Sequence, residues 1–321
     1  MPTAVWNFRR GFVETVTLRA TTFLQKAEEL FQAAPLVRHV VMAGWLRHPD
    51  AAVIAQLAAS PYLARLATLS LKRIGTAGVK ALAASPHLSR LTALNLWENH
   101  SGDAGAQALA DSPGLASLTS LYVRNNSIGP SGAEALAASP NLAQMTKLDL
   151  SVNPRIGTAG AEALAAVPGL GRLLALDLSS CAIGAPGVEA LAASRHLTNL
   201  TALNLKNNRI GDVGVEALAA SQYLARLTDL NLAFNRISSR GARALAASPF
   251  LAGLTALNLS ANQIDDVGAE ALAVSPYLTH LVTLELQGKR QSKAMTDAGK
   301  RALQGRWGSG VRFEENVADQ E

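Results

Sequence analysis

A repeat with a period of 27 residues is the feature of this sequence that most constrains its fold. Each unit has the pattern Leu-x-x-Leu-x-Leu-x-x-Asn-x-Ile-Gly, followed by a segment rich in alanine. A unit of this length cannot bury a core alone, so neighbouring units must stack. The sequence therefore predicts a solenoid whose function depends on the side chains exposed along it. The first residues of successive units are Leu91, Leu118, Met145, Leu173, Leu200, Leu227, Leu254 and Leu281.

Each unit contains an alternating segment and then a helical one. In the unit that starts at Leu200, Leu203 and Leu205 are expected on one face of a strand and Asn204 on the other. The segment Val213–Ala220 is rich in helix-forming residues and predicts a helix. Strands lie about 4.8 Å apart, whereas packed helices need about 8–10 Å. We therefore predict an α/β solenoid curved like a horseshoe, with parallel strands on the concave face and α-helices on the convex face.

The two ends of the array depart from the repeat and are interpreted as caps, which solenoids need to cover their exposed core edges. Residues 1–36 are predicted to form an N-terminal cap with a degenerate strand and a helix, residues 37–286 the solenoid, and residues 287–321 a C-terminal cap and tail. In the last segment we expect a helix at Thr296–Gln304. A closing strand is expected to include Trp307, Val311 and Phe313, after a basic insert at Lys289–Lys293 and before an acidic tail.

Composition and motifs argue against an enzyme, a metal site and a cofactor. The six histidines are scattered and form no metal-binding pattern, and the glycines recur with the repeat rather than in a phosphate-binding loop. The one cysteine, Cys181, excludes a disulfide within the chain and takes a position that asparagine holds in other units. It is predicted to be a buried, inert thiol. The sequence shows no signal peptide and no membrane-spanning stretch, so a cytoplasmic protein is expected.

The chain is basic, with a formal net charge of +5 and a pI of about 9.6. Lysine and arginine concentrate at both ends, where they are interpreted as solvating the caps. Weak attraction to nucleic acid or to anionic surfaces is the alternative. We expect a protein partner and a monomeric chain, and neither a small-molecule substrate nor a membrane.

The repeats resemble leucine-rich repeats of the ribonuclease-inhibitor-like class, as in Ile128-Gly129 followed by Gly132-Ala133-Glu134-Ala135-Leu136-Ala137. These stretches are also similar to those of Ran GTPase-activating proteins and innate immune receptors. The regular Ala-Leu-Ala-Ala-Ser-Pro-x-Leu segments look most like bacterial proteins whose repeats follow a short companion domain. The segments at Arg10–Glu14 and Trp45–Pro49 resemble the junction of those proteins, although the companion domain is not visible here.

The resemblance implies a non-enzymatic scaffold that binds a protein on its concave sheet face. Its alternative is a regulator of a small GTPase, although the residues by which the Ran activators act do not map onto this sequence. A structural remnant without a dedicated partner is a third possibility, favoured locally by bland positions such as Ser260-Ala261.

The candidate binding residues are departures from the repeat consensus on the strand face. Trp97, Tyr122 and Arg124 are expected side by side on neighbouring strands, and these residue types are enriched where interfaces bind most strongly. An intramolecular cation–π pair between Trp97 and Arg124, or plain surface variation, would also explain them. The flanking candidates are Lys72, Arg73, Glu98 and Asp149, and a second, weaker cluster contains Lys206 and Phe234.

Overall fold

The structure is a computed structural model that describes residues 4–9, 12–42, 51–287 and 295–313. Arg10, Gly11, the segment at Trp45–Pro49, the basic insert and the acidic tail lie outside the described residues. The chain divides into two compact units. The N-terminal unit comprises Met1–Asn153 with Val167–Arg172, and the C-terminal unit comprises Pro154–Ala166 with Leu173–Glu321.

In the N-terminal unit, strands alternate with helices along the chain, and the strands form a sheet. Strand β1 pairs antiparallel with β2, and β2 to β7 then follow in chain order as parallel neighbours. The strands are β1 (Ala4–Arg9), β2 (Phe12–Leu18), β3 (His39–Met42), β4 (Thr68–Leu71), β5 (Ala93–Asn95), β6 (Ser120–Tyr122) and β7 (Lys147–Asp149). The helices are α1 (Ala20–Ala33), α2 (Ala51–Ala58), α3 (Gly75–Ala83), α4 (Gly102–Ala110) and α5 (Pro130–Ala138).

The C-terminal unit repeats the same arrangement, with β8 to β13 as parallel neighbours in chain order. Its strands are β8 (Ala175–Asp177), β9 (Ala202–Asn204), β10 (Asp229–Asn231), β11 (Ala256–Asn258), β12 (Thr283–Glu285) and β13 (Val311–Arg312). Its helices are α6 (Gly157–Ala166), α7 (Gly184–Ala193), α8 (Gly211–Ala220), α9 (Ser239–Ala246), α10 (Asp266–Ala273) and α11 (Asp297–Trp307). The predicted α/β solenoid of parallel strands and alternating helices is confirmed.

Leucine and alanine make up most of the core, since aromatic residues account for only 5% of the chain. On β9, Leu203 and the following Leu205 are buried, while Asn204 lies half-buried on the face of the sheet that carries no helix. We call this face the open face. On the other side of the core, α8 buries Val215 and Leu218. In the described part of the chain, no helix has the length and apolarity needed to cross a bilayer.

Three local predictions were wrong. The N-terminal segment has two strands before its helix, because β1 folds back onto β2, where the sequence predicted one. Helix α8 begins at Gly211 rather than Val213, since glycine tolerates the left-handed backbone (φ 58°) at this corner. Trp307 ends α11 instead of starting a strand, and Gly308 with φ 53° terminates that helix.

A buried ladder of asparagine side chains holds each strand-to-helix corner. Asn235 is representative: its Oδ1 accepts hydrogen bonds from the backbone amides of Asn208 (2.8 Å) and Ile210 (3.5 Å) in the preceding repeat. Its Nδ2 donates to the carbonyls of Leu205 (2.8 Å) and Leu232 (3.1 Å). The ladder thus satisfies polar groups that neither strand nor helix can pair. Equivalent asparagines are Asn99, Asn126, Asn153, Asn208 and Asn262.

Cys181 stands in the same position of the ladder and is buried, as predicted. Its backbone amide donates to Asn208 Oδ1 at 3.0 Å, and its Sγ lies 3.6 Å from the carbonyl oxygen of Ser179. A thiol of this size fills the space of the amide with fewer hydrogen bonds.

A second ladder, made of serines, closes the other end of seven helices in the described part of the chain. The hydroxyl of Ser221 donates to the carbonyl oxygen of Ala192 in the preceding repeat at 2.5 Å, and Ser248 donates likewise to Ala219. These bonds satisfy carbonyls at the helix C-termini, which have no partner within the helix. The same contact recurs at Ser85, Ser112, Ser139, Ser194 and Ser275.

Asn235→Ala should lower the free energy of unfolding by at least about 3 kcal/mol. The change removes partners from several buried amides and carbonyls, and each such loss costs about 1–3 kcal/mol. Equilibrium urea denaturation measures the effect.

The matched control is Asn231→Ala, since Asn231 lies half-buried on the open face and accepts one backbone bond, from Ala233 at 3.1 Å. We expect it to cost about 1 kcal/mol. Equal losses in the two variants would show that the ladder is not a main source of stability.

Candidate interaction surface

The strand register places the predicted binding residues of the N-terminal unit side by side. Asn95 on β5 pairs with Tyr122 on β6, which pairs with Asp149 on β7. Beyond the strand ends, the backbone amide of Glu98 donates to the carbonyl oxygen of Arg124 at 3.0 Å. Since Leu96 bonds in the same way to Tyr122, the chain at Trp97 runs beside the chain at Arg124. We call Trp97, Tyr122 and Arg124 the Trp97 cluster.

Trp97 is 38% exposed, and the ammonium of Lys72 lies 5.3 Å from the centre of its ring. The cation that faces this indole is therefore Lys72, whereas the sequence suggested Arg124 as the intramolecular alternative. At an exposed site such a pair contributes about 0.5–1 kcal/mol. The contact leaves the guanidinium of Arg124 exposed to solvent.

Tyr122 replaces a side chain that elsewhere stabilises the end of the strand. Asn95, Asp149 and Asp177 each accept a hydrogen bond from the backbone amide two residues later, at 3.2, 2.8 and 2.8 Å. Asn204 and Asn258 do the same in later repeats. This local bond is the structural reason for the Asp/Asn column. A tyrosine cannot accept it there, so β6 exchanges a stabilising contact for an aromatic side chain.

The flanking candidates have structural contacts as well as exposure. The backbone amide of Arg73 donates to the carbonyl oxygen of Glu98 at 3.2 Å, and Arg73 and Glu98 both have left-handed backbone. Asp149 bonds to Ser151 as described. In the described part of the chain, the hydroxyl of Tyr122 and the guanidinium of Arg124 form no side-chain hydrogen bond. Both groups are therefore available to form hydrogen bonds with a partner.

Ser151 lies one repeat beyond Arg124, at the equivalent position, and is fully buried. Its hydroxyl is the one buried side-chain oxygen or nitrogen without a hydrogen-bond partner among the described residues. No sequence signal distinguishes it from Ser179 or Ser260 at the same position of later repeats.

The second predicted cluster lies in the C-terminal unit. Phe234 is 51% exposed, and the ammonium of Lys206 lies 5.2 Å from the centre of its ring. Two exposed arginines, Arg209 and Arg236, follow the ladder asparagines next to this pair. They were not among the predicted residues. A comparison of the residues that directly follow each ladder asparagine would have shown these two arginines in neighbouring repeats.

Within the described ranges, no group of three or more His, Cys, Asp or Glu side chains is placed so that it could hold a metal ion. The predicted absence of a catalytic or cofactor site stays a prediction.

Comparison with known proteins identifies the repeats. Six segments match the family model described as a leucine-rich repeat, at residues 114–137, 144–165, 173–192, 196–219, 226–246 and 254–273. A search of curated protein sequences finds no match. The finer resemblance to the ribonuclease-inhibitor-like class, and to bacterial proteins with a companion domain, stays a prediction.

Two solved structures are similar to the chain. A chain of the crystal structure of the TLR13–ssRNA13 complex matches 85% of this chain with 20% sequence identity and a TM-score of 0.51, and the match covers 39% of that chain. A chain of the Rad7 and Elc1 complex in yeast matches 92% of this chain with 15% identity and a TM-score of 0.45, over 88% of its own length. At these identities the TLR13 likeness shows the fold alone.

Tyr122→Asn should be more stable than Tyr122→Ala by about 1 kcal/mol, because asparagine restores the hydrogen bond to the backbone amide two residues later. Both variants lose the ring, so their difference isolates that bond. Urea denaturation of the pair measures it. Equal stability would mean that β6 does not accommodate the contact seen in its neighbours.

Proposed function

We propose that this leucine-rich repeat protein is a non-enzymatic scaffold that binds another protein through the Trp97 cluster. The observation that supports the proposal is the adjacency of an exposed tryptophan, a tyrosine and an unpaired guanidinium on the open face of the sheet. In the neighbouring repeats the equivalent positions hold small, amide or charged side chains and no aromatic ring, for example Ser179 and Asn204. Extended open surfaces of this kind are how repeat proteins bind their partners.

The chemistry of the cluster fits a protein interface. Tryptophan, tyrosine and arginine dominate interface hot spots because they combine large apolar area with directional hydrogen bonds. Tyr122 stands on a strand, and Lys72 faces the ring of Trp97, so both aromatic side chains are already positioned before a partner arrives. Positioning in advance reduces the entropy lost on binding.

The charged residues that flank the Trp97 cluster would orient a bound partner. Lys72 and Arg73 lie on the β4 side of the cluster, whereas Asp149 lies on the β7 side. A partner with the opposite arrangement of charges would be steered into one orientation. Cytoplasmic location and a monomeric state belong to this proposal and stay predictions.

Trp97→Ala combined with Arg124→Ala should abolish capture of the partner from a lysate of the source organism. Each hot-spot residue contributes about 2 kcal/mol or more, so the double variant should retain less than about one hundredth of the affinity. Quantitative mass spectrometry of the captured proteins measures the loss.

The control is Arg195→Ala combined with Tyr223→Ala, which removes the same kinds of side chain from turns that follow helices of the C-terminal unit. A partner held equally well by the wild type, the control and the cluster variant would contradict the assigned surface. Regulation of a small GTPase, the alternative from the resemblance, would appear as faster GTP hydrolysis by a captured GTPase.

A further inference from the structure

We propose that a second surface, in the C-terminal unit, binds an acidic peptide segment. It consists of Lys206, Arg209, Phe234 and Arg236, and we call it the basic corner. Arg209 and Arg236 each follow a ladder asparagine, so they hold equivalent positions in neighbouring repeats. All four side chains are exposed. The proposal is independent of the function assigned to the Trp97 cluster.

The three cations of the basic corner have no acidic partner in the described part of the chain. The acidic side chains at the start of α8 are already engaged. Asp212 accepts hydrogen bonds from the amide of Ser238 at 2.8 Å and from its hydroxyl at 2.6 Å. Glu216 pairs with Arg240 at 2.7 Å. The positive charge of the corner therefore faces solvent without neutralisation.

The left-handed backbone of this corner recurs along the repeats, so the choice of side chains is what distinguishes the basic corner. Phe234 (φ 59°), Arg236 (φ 60°) and Arg209 (φ 57°) have this backbone, as do Ser180, Ala182 and Ala261 at equivalent positions. Asn207 shows the locally favoured choice at the position equivalent to Phe234. A phenylalanine and two arginines therefore stand exposed where neighbouring repeats hold smaller side chains such as Ala182 and Ala261.

The geometry favours a short extended peptide. Alternate residues of an extended chain lie on one side about 6.6 Å apart, close enough to the strand spacing of about 4.8 Å for long arginine side chains to meet them. Two carboxylates at such positions can each pair with one guanidinium. One ring face of Phe234 is covered by Lys206, and the rest of the half-exposed ring can contact an apolar side chain on the same side of the peptide, two residues before or after the acids.

The extent of the charge favours a peptide over nucleic acid. The positions on either side of the arginine pair are Ala182 and Gln263, so the row of cations stops after two repeats. A single-stranded nucleic acid needs a basic groove that follows several phosphates. Two guanidinia with one aromatic ring suit two carboxylates and one apolar residue.

The test uses fluorescence anisotropy of a labelled peptide in which two Glu and one Tyr take alternate positions separated by serines, with the same peptide carrying Gln in place of Glu as its uncharged counterpart. We expect the wild type to bind the acidic peptide alone, and more weakly as salt rises. Arg209→Asn combined with Arg236→Asn should weaken binding by at least about tenfold, the loss expected for a charge-assisted bond. Phe234→Asn should also weaken it.

These substitutions avoid the usual ambiguity of a variant that fails to fold, because asparagine suits the left-handed backbone and should leave urea stability unchanged or higher. Arg195→Asn removes the same charge from a distant turn and should bind as the wild type does. Ala182→Arg should tighten binding, since it extends the row. Unchanged binding by the asparagine variants, an equal loss in the control, or preference for a uridine oligonucleotide over the peptide would each overturn the proposal.

Discussion

The need to satisfy buried backbone groups where a strand turns into a helix is the constraint on which the repeat depends. At that corner the amides and carbonyls point neither along a sheet nor along a helix, and they lie away from water. One asparagine side chain per repeat provides both the acceptor and the donors, as Asn235 does for Asn208 and Leu205. The serine ladder does the same for helix carbonyls. This requirement favours a fixed repeat length, because each ladder asparagine must reach the equivalent corner of the preceding repeat.

These structural duties leave few positions for binding. Leucines fill the core, ladder residues serve the backbone, and the Asp/Asn column of the open face caps strand ends through contacts such as Asp177 to Ser179. At Tyr122 the repeat gives up the strand-end contact, whereas Phe234 takes a position that serves neither the core nor the ladders, since Asn231 and Asn235 keep their bonds in the same repeat. In both proposed surfaces an exposed aromatic ring faces a lysine, Trp97 with Lys72 and Phe234 with Lys206.

The repeat pattern was enough to predict the solenoid, its leucine core and the burial of Cys181, because periodicity directly reflects which face is buried. The adjacency of Trp97 and Arg124 also followed from the spacing. The partner of the Trp97 ring did not, because the side-chain conformation that brings Lys72 over the ring is not encoded in the spacing of the repeat. The start of α8 at Gly211 and the inclusion of Trp307 in α11 depend on left-handed glycines, whose φ angles no hydrophobic pattern encodes.

The asparagine ladder has a direction. Asn235 bonds to backbone groups of its own repeat and of the repeat before it, so a corner is completed by the residue that comes one repeat later in the chain. A ribosome makes the chain from the N-terminus, and each new corner therefore waits for the next repeat to be synthesised. During synthesis, the most recently formed corner therefore always lacks the asparagine that completes it. In the finished array, the corner of the final repeat must be closed by something other than another copy of the repeat.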